Sequence, residues 1–271
     1  MPSLERYQSG EVTLLSDARV AGGVTFAFTE RTGGVSEAPY ASLNLGDACG
    51  DDPGRVAENR RRALGAIGAD GLADRLVTPR QVHGDKVVRV ASGDDGAVRA
   101  AAREAREGAD AVVCTAECVP VLLCFADCVP VVLICPGGFA VVHSGWRGTM
   151  ARIVAKAARA LAEQAGADAG EIRAYVGPHV LARDYEVSEE LAARFAAEFG
   201  PDVIVGERNL DLSAALAATL AEAGVGEGAV AWCEDSTAST TPRFFSYRAE
   251  EGTCGRHGAL AVMGAPAPAW E

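Results

Sequence analysis

Histidine is scarce in this chain of 271 residues, with only four present. A multicopper site, which draws on many imidazoles, is poorly supplied by that number. Positive charge is also short: Lys and Arg number 25 against 37 Asp and Glu, a net charge of −12. That balance excludes the basic stripe of a nucleic-acid or anionic-membrane surface. A small anionic ligand stays admissible if a local pocket of arginines receives it. No long hydrophobic run occurs. The most apolar stretch, 119–135, carries Asp127 and two prolines and is too short and interrupted to span a bilayer. The first residues, Met1 to Arg6, lack a basic segment followed by an apolar one, so no secretory leader is expected. No C-x-x-C pair exists among the eight cysteines, and five of them (Cys114, Cys118, Cys124, Cys128 and Cys135) crowd one apolar segment. Reduced thiols in a cytoplasmic protein fit this better than a disulfide framework. No linker is long or polar enough to cut the chain, so residues 1–271 are expected to form a single domain.

What is present is a series of strands and helices. Val24 to Phe28 reads as a strand running into the loop Thr29 to Gly34. Asp52 suits the N-cap and Pro53 the first position of a helix through Leu64. Leu76 to Val90 is predicted to be two strands about a Gly84-Asp85 turn, 97–107 a helix, and 109–115 a strand. Two near-copies follow, Cys118-Val-Pro-Val-Leu-Leu-Cys124 and Cys128-Val-Pro-Val-Val-Leu-Ile-Cys135. They are apolar on both faces, so central strands are predicted. A strand is expected at 138–144, then one amphipathic helix from a Thr149 cap to Gly166. Later strands are predicted at 172–176, 229–233 and 243–247, with helices at 188–199 and 212–223. Strands in consecutive runs with helices between the runs predict an α+β class, mixed β-sheets flanked by helices.

His83, Cys128 and His143 each sit where an apolar strand meets a turn signal. Two imidazoles and a thiolate are a zinc-type donor set that leaves a fourth position free. The alternatives are a metal-free pair, Cys128 as nucleophile and His143 as base, or two ordinary core residues. Asp127, beside Cys128, is expected to orient a ligand. Arg60 falls inside the apolar stripe of its helix at about 100° per residue. An inward arginine needs a counter-charge, either a structural carboxylate or an anionic ligand. Gly145 to Thr149 leads into a helix start, where Arg147 would add a fork suited to phosphate or carboxylate. The run Phe244 to Arg248 reads either as a plain strand or as an aromatic wall with a cation beside a ring-shaped ligand. His179 and His257 show no ligand pattern.

Read together, several short blocks resemble the purine nucleoside phosphorylase and laccase-domain proteins, also known as polyphenol oxidases or peptidoglycan editing factors. The blocks are Arg31 to Ser36, Ser42-Leu-Asn44-Leu-Gly46, Glu58-Asn-Arg60, Gln81-Val-His83-Gly84, Gly108 to Ala111, Ala126 to Val131 and His143 to Thr149. Val176 to Pro178, Tyr185 to Val187 and Phe244 to Arg248 complete the series. The resemblance implies a fold related to the Cys-His toxin deamidases. It implies zinc, with copper as the second metal, on His83, Cys128 and His143. It also implies phosphorolysis of adenosine, inosine and methylthioadenosine, and deamination of adenosine. Cys128, His143, Arg60 and Arg147 are then the expected catalytic residues, and Arg31, Asn44 and Arg248 the expected substrate contacts. The partners would be small purine nucleosides and phosphate, handled by a monomer or weak homo-oligomer. A copper-dependent polyphenol oxidase and a Cys-His hydrolase editing peptidoglycan precursors are the alternative activities. The chain departs from the resemblance at Ser144, where alanine is common, at His179 and Asp184, where cysteines are frequent, and at His257.

Overall fold

A computed structural model describes residues 1–20 and 22–271. In chain order the elements are β1 (Glu5–Ser9), β2 (Val12–Ser16), β3 (Val24–Thr29), α1 (Pro53–Ala66), β4 (Val87–Val90), α2 (Asp95–Glu107), β5 (Ala111–Cys114), β6 (Val121–Phe125), β7 (Val129–Cys135) and β8 (Gly138–Ser144). Then come α3 (Trp146–Met150), α4 (Ile153–Ala165), β9 (Arg173–Val176), α5 (Glu189–Phe199), β10 (Ile204–Val205), β11 (Asn209–Leu210), α6 (Leu212–Glu222), β12 (Val230–Trp232) and β13 (His257–Met263). No helix among the described residues is long and apolar enough to cross a membrane.

The strands form two large sheets. One is antiparallel, in the order β1-β2-β3-β13-β6; the other is mixed, in the order β12-β9-β7-β8-β5-β4. The twin apolar segments are strands of different sheets, and each is covered on both sides. From β6, Val121, Leu123 and Phe125 enter the core between the sheets, while Leu122 faces the core under α1. From β7, Val132 and Ile134 enter that same inter-sheet core, while Val131 and Leu133 face the core shared with α4 and α6. Period-two alternation between two apolar environments explains why both strands read as continuous hydrophobic runs. The result is four layers, with α1 outside one sheet and α4 and α6 outside the other. This is the mixed α+β architecture expected.

Caps behave as their chemistry requires. Asp52 accepts from the Arg55 N–H at 3.0 Å and Pro53 opens α1; Ser188 caps α5 by accepting from Leu191 N–H at 3.2 Å. Gly166, at φ 66°, closes α4 in the left-handed conformation that glycine adopts without steric cost.

Three expectations are corrected. The segment 76–90 is not a hairpin: only Val87–Val90 is a strand, and Val77 makes a lone bridge to Val121. The Gln81 amide replaces the missing ladder, with Nε2 donating to Cys124 O at 2.7 Å and Oε1 accepting from Cys124 N–H at 2.8 Å. Thr149 does not cap one long helix. The short helix α3 begins at Trp146, a left-handed Arg152 (φ 60°) breaks the path, and α4 follows. The Thr149 hydroxyl instead donates back to Gly145 O at 3.1 Å, inside α3. Residues 243–247 are turn and irregular backbone rather than a strand, because Phe244 N–H bonds Thr240 O and Ser246 N–H bonds the Glu250 carboxylate. Also unanticipated were the N-terminal hairpin β1–β2, whose first strand is polar and mostly exposed, the short pair β10–β11, and β13, the strand His257–Met263.

Candidate metal centre

The mixed sheet assembles the centre by register. Strand β8 lies between β7 and β5, so His143 is flanked by Pro130 on one side and, one step beyond the Ala111–Val142 pair, by Asp110 on the other. Cys128 is the residue just before β7, delivered by a turn in which Asp127 adopts φ 84°. His83 comes from the loop before β4 and is itself left-handed, at φ 59°. The donor atoms of His83, Cys128 and His143 all lie within 4.8 Å of one another. That spacing suits bonds of roughly 2.0–2.3 Å to one shared ion.

Asp110 holds both histidines. Its side chain is fully buried. Oδ1 accepts from the His83 N–H at 2.9 Å and from His143 Nδ1–H at 2.8 Å; Oδ2 accepts from Gly84 N–H at 2.7 Å and Val82 N–H at 3.2 Å. Three successive N–H groups cupping one carboxylate form an anion nest, which stabilises the uncommon backbone of His83. With Nδ1–H committed to Asp110, His143 presents Nε2 to the cleft, the tautomer a metal ligand needs. Burial opposes charge on Asp110, but the His143 hydrogen bond and charge and the Gly84 and Val82 N–H groups outweigh it and hold the carboxyl below its usual range.

Without an ion, electrostatics favour a thiolate beside a protonated imidazole, and a metal ion would take the place of the proton between them. Burial pushes the Cys128 thiol up, but the His143 charge and hydrogen bonds from both imidazoles reverse this and favour thiolate. Burial pushes His143 down, and the Cys128 and Asp110 charges more than compensate. A second observation concerns space. A Cβ on Gly145 would sit 2.9 Å from Cys128 Sγ and 3.3 Å from His83 Cδ2. Only glycine leaves the donors free to converge. The thiolate, the ring orientation set by Asp110 and the space beside Gly145 therefore fit a bound metal ion.

The donors line a cleft of about 880 Å³. Arg60 and Arg248 line it. Arg60 donates Nε–H to Leu45 O at 2.9 Å and pairs with Asp47 at 3.3 Å. Arg248 lies 4.9 Å from the Tyr185 ring centre, and its N–H donates to Asp127 at 2.7 Å. Three expected residues do not line the cleft. Arg147 is exposed and stacks over Trp146 at 4.5 Å, because the first turn of α3 points it outward. Arg31 is spent on the carbonyls of Ala41 and Thr241 and on Glu250, over the Phe245 ring. Asn44 is buried, bonding Gly46 O and Asp51 and accepting from Arg256 N–H, so it positions the cleft wall. Asp127 does not touch a donor ring; it accepts from Thr237 and from the Arg248 N–H. The orienting role belongs to Asp110, whose one sequence signal was its place in the Gly108 to Ala111 block. Tyr247, from the expected aromatic wall, lines the cleft, and Asp47, Arg80, Arg106 and Arg256 line it without having been singled out. His179 is a buried residue bonded to Gly177 O and Ser213, and His257 is buried against Phe125 and Phe244.

Residues 25–264 match the family described as multi-copper polyphenol oxidoreductase laccase. The chain belongs to this family. It is 40% identical over 251 residues to a purine nucleoside phosphorylase of Deinococcus radiodurans, covering 90% of each chain. It is also 40% identical over 239 residues to a purine nucleoside phosphorylase of Streptomyces coelicolor, covering 85% of this chain and 92% of the relative. Among solved structures it resembles the hypothetical protein YfiH of Bacillus licheniformis, with a TM-score of 0.83 and 26% identity over 95% of this chain and 98% of that one. YlmD of Geobacillus stearothermophilus gives a TM-score of 0.81 and 28% identity, covering 94% and 97%. The laccase-domain fold thus extends across essentially the whole chain.

Proposed function

We propose that this laccase-domain protein is a zinc-dependent purine nucleoside phosphorylase acting on adenosine, inosine and methylthioadenosine, with deamination of adenosine as a second reaction. The observation that carries the reading is the meeting of two imidazoles and a thiolate within 4.8 Å on the wall of an arginine-lined cleft. The names of the relatives support the substrate class. His83, Cys128 and His143 would hold the zinc, which when bound supplies Lewis acidity at that wall. The protein's own residues do the rest. Asp110 fixes the tautomer of His143 and the turn of His83. Tyr185, Tyr247 and Arg248 offer flat faces and a cation to a purine ring. Arg60 supplies a guanidinium for phosphate. Phosphate attack at the ribose C1′ breaks the glycosidic bond and leaves the purine carrying the electron pair, which a proton must satisfy.

A multicopper reading draws its support from the family description. The two remaining histidines weigh against it, since His179 is bonded elsewhere and His257 is packed between aromatic rings. The test is elemental analysis of the purified protein, followed by product analysis with adenosine in the presence and absence of phosphate. Cys128→Ala should lose stoichiometric zinc and nucleoside turnover together while staying folded. Full turnover in a zinc-free Cys128→Ala protein would refute the proposal. Oxygen-dependent phenol oxidation with copper bound would favour the oxidase instead.

A further inference from the structure

The cleft is locally positive in a strongly negative protein. Five arginines line it (Arg60, Arg80, Arg106, Arg248 and Arg256) against two aspartates, Asp47 and Asp127, within a chain of net charge −12. The two aspartates differ in their commitments. Asp127 is bonded into the wall through Thr237 and Arg248 N–H. Asp47 stands on the loop between Gly46 and Gly50, and its carboxylate pairs with two arginines. Its Oδ2 is 2.6 Å from Arg106 Nη2 and 3.3 Å from Arg60 Nη2. Those arginines come from α2 and α1, so one carboxylate oxygen bridges two guanidinium groups on separate, rigid helices. Arg60 is mostly buried, at 15% side-chain exposure, whereas Asp47 is 40% exposed. Arg60 is thus held by the fold, while Arg106, at 47% side-chain exposure, and the loop residue Asp47 both have solvent beside them.

Two convergent guanidinium groups are a recognition site for a tetrahedral oxyanion. We propose that Asp47 is an internal stand-in for that oxyanion: it occupies the Arg60–Arg106 clamp in the ligand-free protein and is displaced when inorganic phosphate binds. This rests on the phosphorolytic reading above. It also names Arg106, which no sequence feature singled out, as the second phosphate residue, and it makes Asp47 a competitor that lowers phosphate affinity. Asp47 then shares one negative charge between two cations in the absence of substrate, and displacement exchanges its two ion pairs for two made to phosphate.

The test is titration of inorganic phosphate into the zinc-loaded protein by calorimetry, with ionic strength held constant by chloride. Asp47→Asn keeps the size of the side chain and removes its charge. It should bind phosphate about three- to tenfold more tightly than wild type, the span expected from removing two partly exposed ion pairs. Asp47→Asn combined with Arg106→Ala should lose that gain. Asp95→Asn, an exposed acid paired with Arg75 away from the cleft, should leave phosphate affinity unchanged and so controls for a general charge effect. Both Asp47 and Arg106 are about half exposed, so folding is not at risk, and thermal melting verifies this. Unchanged or weaker phosphate binding in Asp47→Asn would overturn the proposal, as would an equal gain in Asp95→Asn. The two readings fail separately. Tighter phosphate binding with no ribose 1-phosphate formed supports the clamp and defeats phosphorolysis. Phosphorolysis with an affinity indifferent to Asp47 does the reverse.

Discussion

Replacing Asp110 with alanine should damage the fold and the metal centre at once. The carboxylate accepts three main-chain N–H groups and one ring N–H, at 2.7 to 3.2 Å, from a fully buried position. Each donor left unsatisfied in the interior costs about 1–3 kcal/mol. The His83 end of the loop is exposed, so water can recover part of this, and the total should come to about 3–5 kcal/mol, the range for breaking a buried charged pair. Asp110→Asn keeps one acceptor oxygen but not the charge, and should cost about 2 kcal/mol. The midpoint of urea denaturation measures these differences. Metal affinity, read by competition with a chromophoric chelator, should drop about 10- to 100-fold in Asp110→Ala, because the turn of His83 and the tautomer of His143 are both released. A variant with wild-type urea midpoint and wild-type zinc affinity would refute the argument that this carboxylate organises the centre.

Other outcomes follow from the same geometry. Gly145→Ala places a methyl 2.9 Å from Cys128 Sγ; it should cost about 1–3 kcal/mol by overpacking and weaken zinc binding, as thermal melting and chelator competition will show. Arg147→Ala should leave steady-state turnover and phosphate KM within about twofold of wild type, since its guanidinium stacks outside the cleft and an exposed substitution of this kind is nearly neutral. Glu30 titrates with a predictable sign. Burial alone would raise its pKa, but hydrogen bonds from Arg6 and Arg243 outweigh it and hold the carboxyl below the usual 4.5. Its contribution to stability is therefore complete above about pH 4.5 and is lost as pH falls through the lower folded value. Urea midpoints across that acid range should decline less steeply in Glu30→Gln than in wild type.

The sequence carried the parts of this molecule that local chemistry decides. The twin apolar segments were legible as central strands because residues such as Leu122 and Leu123 face two separate cores. Cys128 and His143 were legible as site residues because turn signals sit beside apolar strands. What could not be read depends on partners far along the chain. Asp110 has no local mark that distinguishes it from Asp127; only the β5–β8 register sets it beside His143. The hairpin predicted at 76–90 failed in its first strand because a side chain, Gln81, takes the hydrogen bonds that a strand would have made. Arg147 misled because a Gly-rich helix start fixes where the N–H groups point but not which way the second side chain turns. Arg106 lies in the last turn of a polar helix and acquires meaning only through Asp47, 59 residues earlier.

The position of β13 has a consequence for how the protein is made. This strand closes the antiparallel sheet by sitting between β3 and β6, yet it is the final strand in the sequence. Until a ribosome has released residues 257–263, β3 has an open edge and β6 is held by its bridge to Val77 and by the Gln81 amide at Cys124. The strands that carry Cys128, His143 and Asp110 belong to the other sheet and have all emerged more than a hundred residues earlier. A nascent chain can therefore present its metal donors while half of its scaffold still awaits the last strand. Long-range closure of this kind is slow, and it leaves an interval in which an unpaired apolar edge must be kept from other chains.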